Sequence, residues 1–153
     1  MKAEHINPFV ISTTEVFTTM LQCTPKLGKI RLETDGEGPF SISAIIGLTG
    51  TVKGTVDMSF PDTTAVAVCN RLAGEQYTDV NDNVIDALSE MVNMVSGAAK
   101  AKFDGHRINI SLPTVIQGQD HQVNHPKGTK SLVIPFESEL GEFVVCVSFE
   151  SID

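Results

Sequence analysis

Hydrophobic positions at the start of the chain follow a helical period. Apolar residues recur at gaps of three, four and seven between Ile6 and Leu21, which is typical of an amphipathic helix. Pro8 is tolerated if it lies in the first turn, where its missing N–H has no helical partner to lose. Pro25 and Gly28 are expected to close the element.

The middle of the chain predicts two more helices. One begins near Pro61 and Asp62 and ends at Gly74, because proline favours a first turn and glycine a helix end. A polar connector, "EQYTDVNDN", follows. The next helix runs through "VIDALSEMVNMVSGAAKAKF" and ends by Gly105.

Six other segments are rich in β-branched residues and alternate in places between apolar and polar side chains, so they are predicted strands. They are "KIRLET", "FSISAIIGLTG" and "VKGTVDMSF" before the middle helices, and "HRINISLP", "TKSLVIPFES" and "EFVVCVSFE" after them. Two shorter stretches, "TDGEGP" and "LTG", have turn composition, and "QGQDHQVNHPKG" is predicted as a long polar loop.

The order of these elements indicates an internal duplication. Each half has a long helix and three strands, and "EVFTTM" from Glu15 parallels "EMVNMV" from Glu90. Likewise "TVDMSF" (55–60) parallels "VVCVSF" (144–149). The fold class expected is α+β, with two pseudo-repeated helix–three-strand halves and helices packed on a largely antiparallel six-stranded sheet. Residues 1–153 are expected to form a single domain.

Composition narrows the functional classes. The chain has 153 residues and a net charge of −8, and its basic residues are scattered, so a nucleic-acid partner is not expected. No stretch approaches the roughly 20 apolar residues of a membrane span, and the first residues lack the pattern of a signal peptide. Three widely spaced cysteines fit a reducing compartment. We therefore expect a cytoplasmic protein without a membrane partner.

A line of polar residues crosses the last predicted helix. Asp86, Glu90, Asn93 and Gly97 have the spacing of one helical face, whereas the Leu, Met and Val residues gather on the other. Any amphipathic surface helix has a polar face. However, asparagine and glycine are poor helix formers at exposed mid-helix positions. An acid, an amide and a bare patch in one line suggest a docking surface.

These residues carry a family resemblance. The pattern Asp86-x3-Glu90-x2-Asn93, followed by Pro113, is similar to the signature of the CheC/CheX/FliY chemotaxis phosphatases. The opening "INPFVISTTEVFTTML" resembles the CheX branch in particular. The resemblance covers the whole chain, including the repeated helix–three-strand halves.

The resemblance implies a function and roles for residues. It implies a phosphatase that docks on a phosphorylated CheY-like receiver domain and orients water to hydrolyse its aspartyl phosphate. Asn93 would position the water, and Glu90 would pair with the receiver's lysine, so these two are the catalytic candidates. Asp86, Gly97 and Pro113 are candidate partner-binding residues. The receiver would supply Mg²⁺, no cofactor or metal would be bound by this chain itself, and a homodimer is implied.

Two other functional classes stay open at this point. One is a non-catalytic CheC-like binding or flagellar-switch module, and the other is a regulatory domain that binds phosphorylated receivers without hydrolysing them. Retention of both Glu90 and Asn93 favours catalysis. The first helix has Glu15 and Thr18 at the equivalent positions, and a threonine hydroxyl is too short to replace a carboxamide. One active site per chain is therefore expected.

Other candidate sites are weaker. His121 and His125 have a spacing that metal ligands could use, but Pro126 and the polar context indicate a loop, and no third ligand is evident. Cys69 and Cys146 lie in apolar runs, where thiols are usually buried and inert. His106 is predicted to open a strand. The segment "GLTGTVKG" lacks the lysine and helix of a phosphate-binding loop and predicts a hairpin turn.

Overall fold

The computed structural model describes residues 3–33, 40–118, 121, 123 and 129–150. The helices within these ranges are α1 (Ala3–Leu21), α2 (Asp62–Ala73) and α3 (Asp82–Lys100). The strands are β1 (Lys26–Leu27), β2 (Arg31–Leu32), β3 (Ile42–Gly50), β4 (Gly54–Phe60), β5 (Ile108–Ile110), β6 (Thr114–Gln117), β7 (Lys130–Ser138) and β8 (Gly141–Phe149).

Local signals explain where the helices begin and end. Asn81 caps α3, since its side chain accepts a hydrogen bond from the Val84 N–H at 3.0 Å. Gly74 ends α2 in the left-handed conformation, at φ 67°, as its position in the sequence predicts. Helix α1 begins at Ala3, so Pro8 lies in its second turn and not in the first. Its end precedes the predicted Pro25 and Gly28, because Gln22 already takes a φ of 52°.

The strands form one antiparallel sheet with six positions across. Its order is β1-β7-β8-β4-β3-β5, with β2 also paired to β7 and β6 also paired to β3. The antiparallel α+β architecture is confirmed, while the strand count needs a correction. Each outer position, predicted as one strand, holds two short strands, so the described sheet has eight.

The pairing is symmetric between the halves. The outer strands of the first half, β1 and β2, pair with β7 of the second half, and β5 and β6 pair in the same way with β3. The last strand of each half, β4 and β8, meet at the centre of the sheet. Asp57 and Cys146, which occupy equivalent positions in the aligned segments 55–60 and 144–149, face each other in this central pair. A pseudo-two-fold axis therefore passes through the sheet between them.

The core lies between the helices and one face of the sheet. It contains a stack of aromatic rings, in which Phe143 lies 4.5 Å from Phe17 and 5.2 Å from Phe136 between ring centroids. Helix α3 buries eight residues against this core: Val84, Ala87, Leu88, Met91, Val92, Val95, Ser96 and Ala99. The apolar residues among them confirm the predicted apolar face. The opposite face of α3 therefore points away from the core and toward solvent.

The β3–β4 hairpin confirms the hairpin interpretation of "GLTGTVKG", but the predicted "LTG" turn (48–50) is the end of strand β3, and the turn lies at 51–53. The predicted "TDGEGP" turn (34–39) and most of the polar loop 117–128, including His125, lie outside the described residues. In the described part of the chain, no helix is long and apolar enough to cross a membrane.

Candidate functional site

The polar line on α3 is an exposed surface that points away from the sheet. Asp86, Glu90 and Asn93 are exposed and Gly97 is half-buried. At about 100° per residue, these four positions centre on the direction opposite to the buried face of the helix. Glu90 and Asn93 are separated by about 4.5 Å of helix rise, and Asp86 lies about 6 Å before Glu90 along the axis. A flat partner surface can therefore reach all of them together.

None of the three polar side chains is engaged within the described part of the protein. Asp86, Glu90 and Asn93 have neither a hydrogen bond nor an ion pair to any described side chain or backbone group. Their donors and acceptors face solvent and are ready for a partner. Packing and hydrogen bonding inside this part of the chain therefore leave these three side chains accessible to another molecule.

Gly97 leaves open space on the same face. A Cβ atom built there meets no heavy atom within 4 Å beyond its local helix neighbours. Packing inside the chain therefore does not require glycine at this position. The residue leaves the helix surface shallow next to Asn93, and this is consistent with its predicted role in partner binding.

Pro113 does not lie on α3 but in an irregular segment of the sheet edge. Strand β5 pairs Ile110 with Leu48, and β6 pairs Thr114 with Ile45. The three residues between them therefore face only two residues of β3, which defines a β-bulge. Pro113 is half-buried in this bulge. The preceding Leu112 is 88% exposed, although the sequence placed it inside a regular strand.

The equivalent positions in the first half are occupied differently. Lys102 Nζ donates to Glu15 Oε2 at 2.9 Å, so the carboxylate that corresponds to Glu90 is already ion-paired. Thr18, opposite Asn93 in the alignment, has its hydroxyl 3.3 Å from that of Thr24. These contacts are consistent with the prediction of a degenerate first half.

The competing nucleophiles are inaccessible. All three cysteines are buried and unpaired. Burial raises the pKa of Cys146 far above its usual range, and the neighbouring Asp57 carboxyl raises it further. Burial also raises the pKa of Cys69. Burial and the raised pKa disfavour the thiolate form of both residues, which argues against a role for either as a nucleophile.

Two of the candidate histidines, His121 and His106, have structural partners. His121 Nε2 lies 2.7 Å from Ser43 Oγ, and its Nδ1 lies 2.7 Å from the Gly118 carbonyl oxygen. His106 precedes β5, with its Nδ1 3.3 Å from Thr51 Oγ1. Among the described residues, no group of three or more His, Cys, Asp or Glu is arranged to hold a metal ion.

Comparison with known proteins identifies the family of this chain. The model of the chemotaxis phosphatase CheX family matches residues 42–137, a segment that contains the whole of α3. The CheY-P phosphatase CheX of Thermotoga maritima is 30% identical over 126 residues, which is 80% of this chain and 81% of that protein. The chain therefore belongs to the CheX family of chemotaxis phosphatases.

Solved structures agree with this assignment. A CheC-like superfamily protein from Shewanella sp. PV-4 superimposes with a TM-score of 0.91 at 30% identity, covering 99% of this chain and 100% of that one. The CheX chain in a CheX–CheY–BeF3–Mg²⁺ complex from Borrelia burgdorferi superimposes with a TM-score of 0.81 at 24% identity, covering 96% and 98%. At the lower identity, the second likeness concerns the fold.

Proposed function

We propose that this chain is a phosphatase that docks the outward face of α3 on a phosphorylated CheY-type receiver domain and hydrolyses its aspartyl phosphate. The observation that carries the proposal is the exposure of Glu90 and Asn93 one helical turn apart, with no engaged partner among the described residues. Family membership supports the reaction class, since the curated relative is a CheY-P phosphatase. The Borrelia burgdorferi structure supports the choice of partner, because it contains CheX together with CheY.

Asn93 is the residue that orients the attacking water. Its carboxamide oxygen accepts a hydrogen bond from the water, and its N–H can donate to a nearby oxygen without bringing negative charge to the phosphoryl group. The water oxygen bonds to phosphorus as the bond from phosphorus to the aspartyl oxygen breaks. The products are inorganic phosphate and a free aspartate carboxylate, and the water proton leaves to solvent. Placing the water in line is the main catalytic contribution.

Glu90 fixes the register of docking. Its carboxylate has no partner among the described residues, so it can accept a charge-assisted hydrogen bond from a lysine of the receiver. Such a bond holds Asn93 opposite the phosphoryl group. Asp86 contacts the rim of the receiver one turn earlier, and the bare surface at Gly97 admits the receiver on the other side of Asn93. Pro113 adds a contact with the receiver from the sheet edge.

The metal ion of the reaction belongs to the receiver. Mg²⁺ bound there neutralises charge on the phosphoryl oxygens.

We also propose that the chain forms a homodimer in the cytoplasm. The unpaired cysteines fit a reducing compartment. The family resemblance implies the dimer. Light scattering at micromolar concentration measures the mass, and a monomer would contradict the dimer.

Measurement of phosphate release from phosphorylated CheY tests the enzymatic proposal. We expect the wild-type chain to accelerate release well beyond the receiver's own rate, in catalytic and not stoichiometric amounts. A chain that binds the receiver without accelerating release would instead be a binding module, as a flagellar-switch component would be. A receiver carrying BeF3 and Mg²⁺ measures binding separately from turnover.

A further inference from the structure

The edge bulge occurs twice in the molecule, once in each half. On one edge, Ser111, Leu112 and Pro113 lie between the last pair of β5 and the first pair of β6, and the Ser111 N–H donates to the Gly47 carbonyl at 3.0 Å. On the other edge, residues 28–30 lie between β1 and β2. The Gly28 N–H donates to the Pro135 carbonyl at 2.8 Å, which is the equivalent hydrogen bond. The two bulges are therefore equivalent under the pseudo-two-fold axis.

The equivalent positions of the two bulges carry opposite chemistry. The middle residue is Lys29 on the edge of the first half and Leu112 on the edge of the second. Both side chains are exposed. Lysine is the ordinary residue for an exposed edge, because its charge discourages strand pairing and aggregation. A leucine that is 88% exposed is the unusual choice, and it occurs in the half that also has Glu90 and Asn93.

The order of the chain brings the bulge opposite the middle of α3. The helix runs antiparallel to the edge: Val80, just before α3, lines a shallow pocket with Gln117 and Gly118, and after residues 101–107 the chain returns to the edge at Ile108. The midpoint of α3 is Met91, between Glu90 and Asn93, and the midpoint of the edge is the bulge. An interface of roughly 800 Å² per partner is wide enough to cover both.

The bulge argues for a folded partner and against a second copy of this chain at this point. Strand pairing between copies needs a regular row of backbone N–H groups, but Pro113 has none and the bulge interrupts the pleat. What the bulge does provide is an outward-pointing apolar side chain, since bulges re-aim side chains next to functional sites.

We propose that Leu112 is an apolar anchor for the phosphorylated receiver, inserted into its surface beside the contact that α3 makes. This inference rests on the function proposed above. Leu112 touches no reacting atom, so it acts on affinity: burial of one leucine side chain on docking corresponds to roughly a tenfold or greater gain. Glu90 sets the register by charge, and Leu112 adds non-polar contact area on the side of Pro113.

The test compares Leu112→Ser with Leu32→Ser in the full chain. Leu32 is 60% exposed on the opposite edge, so its replacement removes a similar side chain away from α3. The probe for affinity is CheY from the same organism with BeF3 and Mg²⁺, titrated by calorimetry. We expect Leu112→Ser to raise Kd, and the KM for phosphorylated CheY, by roughly tenfold or more with kcat unchanged. Leu32→Ser should leave both constants at the wild-type value.

Three results would overturn this assignment. Kd and KM of Leu112→Ser could match the wild type, both serine variants could weaken binding equally, or Leu112→Ser could convert a dimer into a monomer. The last result would assign the leucine to contact between copies. Failure of the proposed function gives a different result: the wild-type chain would then not accelerate phosphate release, whereas calorimetry would still report the effect of Leu112→Ser on binding.

Discussion

Lys102 holds the carboxylate of Glu15 in an ion pair of 2.9 Å, while the equivalent Glu90 extends into solvent. The two glutamates occupy matching positions in a duplicated helix, yet only Glu15 is ion-paired among the described residues. This difference, together with threonine in place of asparagine at position 18, supports the proposal that only the second half carries the active site.

Asn93→Ala should abolish assisted dephosphorylation. Losing one well-placed polar group at a transition state commonly costs about 10²–10³ in rate. Binding of a receiver that carries BeF3 and Mg²⁺ should stay close to the wild-type value, since the side chain acts mainly on the water. Phosphate release at saturating receiver measures the rate. Near wild-type turnover would show that Asn93 does not position the water.

Glu90→Ala should weaken binding as well as rate, because a charged group of the receiver then lacks its partner. Added salt should weaken the wild-type complex more than the variant complex, since screening acts on a pair that the variant no longer has. Glu137→Ala is a matched control, because Glu137 is exposed on β7, near the opposite edge of the sheet. A Kd that changes neither with added salt nor with the Glu90 substitution would contradict this docking mode.

The double variants Glu15→Ala/Thr18→Ala and Glu90→Ala/Asn93→Ala should show which half of the chain carries the active site. The first pair should keep activity near the wild-type level, with a loss of stability of about 0–1 kcal/mol from the exposed ion pair to Lys102. The second pair should remove activity. Thermal melts verify folding in both. Substantial activity in the second double variant would show that α1 also carries a working site.

Asp57→Asn should change the pH dependence of stability. The pKa of Asp57 is raised from 3.8 to about 7. Burial is the main cause and the nearby Glu33 carboxylate adds to it, whereas a hydrogen bond with Cys146 lowers the pKa. A group whose folded-state pKa is raised stabilises the fold fully below its unfolded pKa and loses that contribution as pH rises to about 7. The loss amounts to about 4 kcal/mol. The free energy of unfolding of the wild type should therefore fall from pH 4 to 7.

Urea unfolding at a series of pH values provides the measurement for Asp57. The carboxamide introduced by Asp57→Asn cannot ionise, so the stability of the variant relative to the wild type should increase over this range and level off above it. Asp104→Asn, at an exposed position, is the control and should shift the curve little. Parallel curves for wild type and Asp57→Asn would show that Asp57 ionises normally in the folded state.

Local sequence signals predicted the helices and the exposed line well. Pro61, Gly74 and the helical period specify α2 and α3 through interactions within a few residues. For the same reason, the spacing of Asp86, Glu90 and Asn93 determined their common face as soon as α3 was recognised. The antiparallel α+β class followed from the order of the elements.

Contacts between distant segments could not be predicted from the sequence in the same way. The short edge strands β1, β2 and β6 have two to four residues each, too few to show a period of two. Their bulges depend on pairing with a strand of the other half. The ion pair between Glu15 and Lys102 joins residues 87 positions apart. Asp57, which alternation would place toward water, is only 2% exposed.

The pairing of Asp57 with Cys146 has a consequence for how such a chain can arise. In an assembly of two identical halves, a residue beside the symmetry axis meets its own copy, so an aspartate there would bring two carboxyl groups together in a buried place. Joining the halves into one polypeptide removes that restriction. Each half can then mutate independently, and an acid can face a thiol. The same freedom allows the two helices to carry different residues, threonine at position 18 and asparagine at position 93, so covalent fusion permits the halves to specialise.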